Sequence, residues 1–251
     1  MPTGRIDRTP DRLPLRWAGP AYIVLLILSV MAFWPGYLAK PMAESHGWTH
    51  FHAAMGTLWL LTLIAQPMAI HAGCRRWHRV IGKASYVLMP AVVVSFVGLA
   101  HASMQGVTPE DLGVVAYYFY IRVVLLAIFV GSYVMGIVHR RTPAVHARYM
   151  VCTGLALIDP VGHRLAHRFE LWRFGTENFD YQLLTFGSVC LILAALIWME
   201  RRASSGRQVF PFVLGAFVLG WLPLLLHFYR WGAPWVYWKD LAAGFAALPI
   251  P

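Results

Sequence analysis

Acidic side chains are scarce in this sequence: 11 Asp and Glu among 251 residues, against 21 Lys and Arg. Charged residues make up only 13% of the chain, whereas 59% is hydrophobic, and the mean hydropathy is +0.57. A water-soluble domain of this length needs far more polar surface, which excludes a soluble globular fold and leaves a polytopic membrane protein. Cysteine is also rare. Cys74, Cys152 and Cys190 show no paired extracellular spacing, so a disulfide framework is excluded and reduced thiols are expected. No segment is of low complexity, and no stretch between apolar runs is long enough for a water-soluble domain. The formal charge of +10 sits in short clusters between those runs. That pattern signals orientation in a bilayer, not nucleic-acid binding.

What the sequence does have is long apolar runs. About 20 residues at 1.5 Å each cross roughly 30 Å of hydrocarbon, and seven segments qualify: 20–39, 52–72, 84–104, 113–138, 149–167, 181–199 and 209–229. The expected fold is therefore all-α, a single integral membrane domain of seven transmembrane helices, because an open strand edge cannot exist in lipid. The fifth segment is the weakest, interrupted by Asp159, Pro160, His163 and Arg164. The first reads as an uncleaved span, too long for a signal-peptide core.

Orientation follows from the basic residues. Arg5, Arg8, Arg12, Arg16, Arg75, Arg76, Arg79, Lys83, Arg140, Arg141, Arg148, Arg201, Arg202 and Arg207 share one side, whereas Lys40, Arg164, Arg168, Arg173, Arg230 and Lys239 lie on the other. The positive-inside rule places residues 1–19 as a cytoplasmic basic tail and the C-terminus outside. The segment 230–251, rich in Trp and Tyr, suits an outer interface belt. A multi-pass protein of a bacterial inner membrane, with the lipid bilayer as its partner, is the expected setting.

The loops carry a repeated pattern. "IHAGCRRWHR" holds His71 and His78 around Arg75 and Arg76; "VHRRTPAVHAR" holds His139 and His146 around Arg140 and Arg141. Each pair flanks the turn of a predicted helical hairpin, and a further histidine lies near the outer end of the returning helix: His101 in the first, His163 or His167 in the second. This is what a duplicated two-helix unit would look like, although little identity beyond the histidines supports it. The duplication would pair His71 with His139 at the inner side and His101 with His163 at the outer side. Two bis-histidine pairs, one per leaflet, would hold two b haems and pass electrons across the membrane to a quinone or other redox partner. His78 and His146, with Arg79 and Arg148, would then serve haem propionates or an anionic partner. In its use of helices two/four and three/five the arrangement resembles the cytochrome b561 class.

A competing constellation is "DPVGHRLAH". Asp159, His163 and His167 are four apart and share one helix face, the spacing of many zinc sites. With His52 from a neighbouring helix they would form an outer-facing, metal-activated hydrolase site, resembling membrane metallohydrolases of the adiponectin-receptor and ceramidase type. "HGWTHFH", with His46 and His50, reads as a solvated external loop. A non-catalytic transporter or complex subunit is the third reading.

"HRVIGKASY" (His78, Arg79, Gly82, Tyr86) and "HARYM" (His146, Met150) resemble the paired H-R-x-x-G and H-x-x-W-M loop motifs of an uncharacterised bacterial multi-pass membrane family, with Tyr149 in place of the Trp. The resemblance spans residues 50–168 and implies no activity. It does make His78 and His146 the motif histidines, leaving His71, His101 and His163 outside the motif. Finally, Arg122 and Asp159 fall at similar depth in the fourth and fifth segments. A buried ion pair between them is expected, since either charge alone in hydrocarbon costs several kcal/mol.

The predicted sidedness has a direct check. With a single reporter cysteine, an impermeant thiol reagent added outside should label Gly106→Cys and leave Ser205→Cys untouched; the reverse pattern would invert the topology.

Overall fold

The computed structural model describes residues 17–171, 177–227 and 230–250. The basic tail of residues 1–16 and Arg173 lie outside the described residues. The described chain is all-helical: α1 (Ala18–Phe33), extended by a wider π-type turn at Trp34–Leu38, then α2 (Gly47–His71), α3 (Arg75–Ala102), α4 (Leu112–Val138), α5 (Pro143–Leu155), α6 (Ile158–Arg168), α7 (Glu177–Met199), α8 (Val209–Leu225) and α9 (Ala233–Ala246). Five stretches are long and apolar enough to cross a membrane: Ala18–Leu38, Gly47–His71, Arg75–Ala102, Leu112–Val138 and Tyr181–Met199. Bulky apolar side chains are turned outward on them, among them Val87 at 76% exposure and Leu191 at 73%. In water such surface would drive aggregation; against lipid tails it costs nothing, which makes the bilayer the natural solvent.

The expected fifth span is not one helix. It is two, α5 and α6, parted at Ala156 and Leu157. Pro160 supplies the reason: it has no N–H to give the carbonyl four residues back, and its ring would strike that carbonyl, which belongs to Ala156. The 17-residue α8 is apolar but shorter than the five. The expected interfacial tail holds a 14-residue helix, α9, laid against the N-terminal end of α4. There Phe119 stacks on Trp238 and Phe245 at 5.5 and 4.9 Å, and the Trp238 indole N–H donates to the Ala116 carbonyl at 2.8 Å.

Two cores divide the bundle. One joins α4, α5, α7 and α8 around Cys152, Val189, Leu193 and Phe210, all fully buried. The other joins α1, α2, α3, α4 and α6 around Trp59, which meets Phe129 and Tyr133 edge-on at 5.2 and 5.5 Å. α4 serves both as their shared wall. The turns after α2, α4 and α7 gather the arginines at one end, here the basic end; α9 and the α3–α4 connection mark the far end.

At the basic end α5 is locked to α7. Arg148, fully buried, donates from Nε to the Glu200 carboxylate at 2.5 Å and from Nη1 to the Ala144 carbonyl at 2.7 Å. Gly206 closes over this pair with φ +78°, and a Cβ there would stand 2.8 Å from Arg148 Nη1. Both backbone conformation and space require glycine at that position. Arg148 is thereby committed to structure, and the expected role of serving an anionic partner falls away. Removing one member leaves the other charge buried alone, so Arg148→Met or Glu200→Gln should cost about 3–5 kcal/mol. Arg148→Met combined with Glu200→Leu should recover much of that, measured by unfolding in detergent titrated with dodecyl sulfate.

Candidate functional site

The two motif histidines meet. His78, near the start of α3, and His146, in the first turn of α5, bring their ring centres to 6.5 Å with planes at 89°. The local chain explains the approach. The last carbonyls of a helix have no backbone donor ahead of them, and His146 Nδ1–H fills one such place by donating to the Gly136 carbonyl at 2.7 Å. Gly136 is what lets α5 come so close, because a Cβ there would already touch Met150 Sδ at 3.0 Å. Since a carbonyl only accepts, Nδ1 carries the proton, and Nε2 of neutral His146 keeps its lone pair. On the other hairpin, Gln66 of α2 donates to the His78 carbonyl at 3.2 Å, fixing where α3 starts relative to α2. One helical turn and two turns further on, Gly82 and Ser85 continue the same face. Ser85 spends its hydrogen on the Gly82 carbonyl at 2.7 Å, so the Tyr133 hydroxyl donates to Ser85 Oγ at 3.1 Å, tying α3 to α4. The imidazole Nδ1 of His78 is buried and has no hydrogen-bond partner among the described residues. Tyr86, by contrast, is exposed.

The other predicted pairs take separate places. His71 ends α2 and is exposed, with no ring contact among the described residues. His139 donates from Nδ1 to the Met135 carbonyl at 2.9 Å and stacks on Tyr149 at 6.0 Å. His101 is buried under the C-terminal segment, its Nε2 directed at the Leu248 carbonyl at 2.9 Å and its ring edge-on to Phe245. His163 lies between Tyr118 and Tyr181, at 6.0 and 6.1 Å. Neither His71 with His139 nor His101 with His163 forms a facing couple. His139 is turned back onto its own helix, His101 onto the C-terminal segment, and His163 onto two tyrosines.

At the far end a second polar group forms. Asp159, buried at the start of α6, accepts from Gln182 Nε2 at 2.5 Å and Thr185 Oγ1 at 2.6 Å, both on α7. Arg122 of α4 donates instead to Ser103 Oγ at 2.6 Å. The expected Arg122–Asp159 ion pair is thus replaced by two separate sets of partners; among the described residues the ion pair is Arg148–Glu200. Arg164 donates to the Pro160 carbonyl at 2.8 Å and lies over the Phe33 ring at 4.5 Å. Ser95 gives its hydrogen to the Val92 carbonyl, so His52 Nδ1–H donates to Ser95 Oγ at 3.2 Å.

The set Asp159, His163, His167 and His52 does not converge as zinc ligands. His167 packs its ring against Tyr181 at 5.5 Å, and Asp159 is engaged by α7. Among the described residues no group of three or more His, Cys, Asp or Glu side chains has a metal-binding arrangement. The glutamine and threonine that hold Asp159 were not singled out from the sequence, although Gln182 and Thr185 stand three apart at the start of an apolar run. Glu200, a lone acid beside Arg201 and Arg202, was the corresponding signal for Arg148.

Because Arg122 and Asp159 have different partners, Arg122→Met and Asp159→Leu should lower thermal stability additively, within about 0.5 kcal/mol. A double variant markedly more stable than that sum would restore the direct pair.

Comparison with known proteins finds no matching family model, no matching curated protein and no matching solved structure.

Proposed function

We propose that this integral membrane protein is a seven-span electron-transfer protein whose b haem is held at its cytoplasmic face by His78 and His146. The observation that carries this reading is their meeting across two hairpins. Two imidazoles sharing one metal at about 2.0–2.1 Å from nitrogen have ring centres roughly 5–6.5 Å apart, and the pair stands at 6.5 Å. The hydrogen bond from His146 Nδ1–H to a backbone carbonyl is the orienting contact that a ligating histidine commonly makes, because it fixes the tautomer and the ring plane. The buried Nδ1 of His78, without a partner among the described residues, is a polar atom that a bound group would satisfy.

Two imidazoles without a third protein ligand suit haem better than zinc. A porphyrin brings four nitrogens of its own, whereas zinc needs three or four ligands from the chain. Bound haem would supply a one-electron redox centre. The chain's own part is to clamp α3 against α5, hold the two rings edge to face, and present exposed Arg75, Arg76 and Arg79 to carboxylates or an acidic redox partner. Seven spans, with α5 and α6 together forming the fifth and α8 the seventh, put this pair on the positive-inside face.

The purified protein, expressed with haem available, should show a Soret band that shifts on dithionite reduction. His78→Ala and His146→Ala should each abolish it, whereas His71→Ala and His139→Ala should leave it in place. A colourless wild-type protein would refute the haem reading and leave the pair as a clasp between hairpins.

A further inference from the structure

At the far end, the start of α2, the end of α3 and the segment after α9 enclose a cavity of about 280 Å³. Trp48 and residues 248–250 supply its apolar walls, and three polar side chains, His46, His101 and Gln105, line it with them. Trp48 lies flush against α3 because Gly98 has no side chain; a Cβ there would stand 2.2 Å from the indole. His101, only 4% exposed, holds the segment after α9 in place.

The hydrogen bonds around the cavity decide which polar atoms remain to be used. A carbonyl only accepts, so the 2.9 Å contact with the Leu248 carbonyl puts the His101 proton on Nε2. Gln105 spends its two amide hydrogens on the Ala246 and His101 carbonyls, at 3.0 and 3.3 Å. The 3.0 Å approach of Gln105 Nε2 to His101 Nε2 then holds no shared hydrogen. Gln105 Oε1 is left as an acceptor without a partner among the described residues. His46 is fixed the opposite way. Its Nδ1 accepts from the Trp48 backbone N–H at 3.2 Å, which caps α2, so neutral His46 keeps a hydrogen on Nε2. That N–H also has no partner among the described residues.

We propose that this cavity binds an aromatic ring bearing a hydroxyl, either a water-borne phenol or the quinol head group of a membrane-borne molecule. A hydroxyl both donates and accepts, which is what Gln105 Oε1 and His46 Nε2–H together call for. Pockets for drug-sized ligands run from about 300 to 1,000 Å³, so this smaller one suits a single substituted ring. The Trp48 indole gives that ring an aromatic partner. The site is remote from the His78–His146 pair and does not depend on haem being bound there.

Photolabelling of the full chain in nanodiscs with 4-azidophenol, read by peptide mass spectrometry, tests the site. Label should fall on the peptides that carry Trp48 or residues 248–250. Excess phenol should suppress it, whereas anisole, which has the ring but no hydroxyl hydrogen, should compete about tenfold less well. A quinol with an isoprenoid tail, built into the nanodisc, should compete too if the ligand comes from the bilayer; competition by phenol alone marks a water-borne ligand. His46→Ser keeps a capping oxygen for α2 and removes the imidazole donor. It should weaken phenol competition about tenfold and leave the thermal midpoint near that of the wild type. The anisole comparison needs no variant and so is immune to a folding defect. The proposal fails if those peptides take no label, if anisole competes as well as phenol, or if His46→Ser responds to phenol as the wild type does.

Discussion

Hydrocarbon offers no hydrogen bonds, so every polar group that a chain carries into it must find its partner within the protein. That constraint organises this structure more than any single hydrophobic contact does. Apolar packing sets the two cores, but helices surrounded by lipid gain little from hiding one apolar face rather than another. What fixes their register is the polar traffic between them. Arg148 with Glu200 joins α5 to the end of α7, and Asp159 with Gln182 and Thr185 joins α6 to α7. Tyr133 with Ser85 joins α4 to α3, and His52 with Ser95 joins α2 to α3. Each bond connects different helices at one depth, so sliding any helix along its neighbour would strand a donor or an acceptor.

Seen in this way, the repeated loops have a structural cause and a chemical one. A helix that ends at a membrane boundary exposes its last carbonyls, and a histidine arriving from the next helix can fill one of them. His146 does this for Gly136. The same bond turns the rest of its ring toward the neighbouring hairpin, where His78 waits with an unsatisfied nitrogen. Capping the end of α4 and placing the His146 ring beside His78 are here the work of one hydrogen bond.

The helical class and the apolar runs were legible in the sequence because they are written in composition, which is a property of segments. The loop resemblance singled out His78 and His146, the two histidines whose rings come to 6.5 Å. Spacing within a hairpin pointed instead to His71 and His139, since it reports depth and says nothing about which way a ring faces. The end of α2 leaves His71 exposed, and local capping turns His139 back onto its own helix. Asp159 illustrates the same limit: depth suggested Arg122, whereas the azimuth of α6 pointed the carboxylate at α7. Pro160 was visible as an interruption, but that it would divide one span into two helices depended on whether neighbours could satisfy the freed backbone.

The division at Ala156 and Leu157 has a mechanical meaning. α5 belongs to the core built with α8, and the segment beyond it to the core built with α1. Where α4 runs unbroken through both cores, this span passes from one to the other across a pair of residues outside either helix. The break lets the two halves of the span take different partners, Asp159 on α7 beyond it and His146 on the end of α4 before it. In that sense the broken helix is a corner, which lets one span serve two cores.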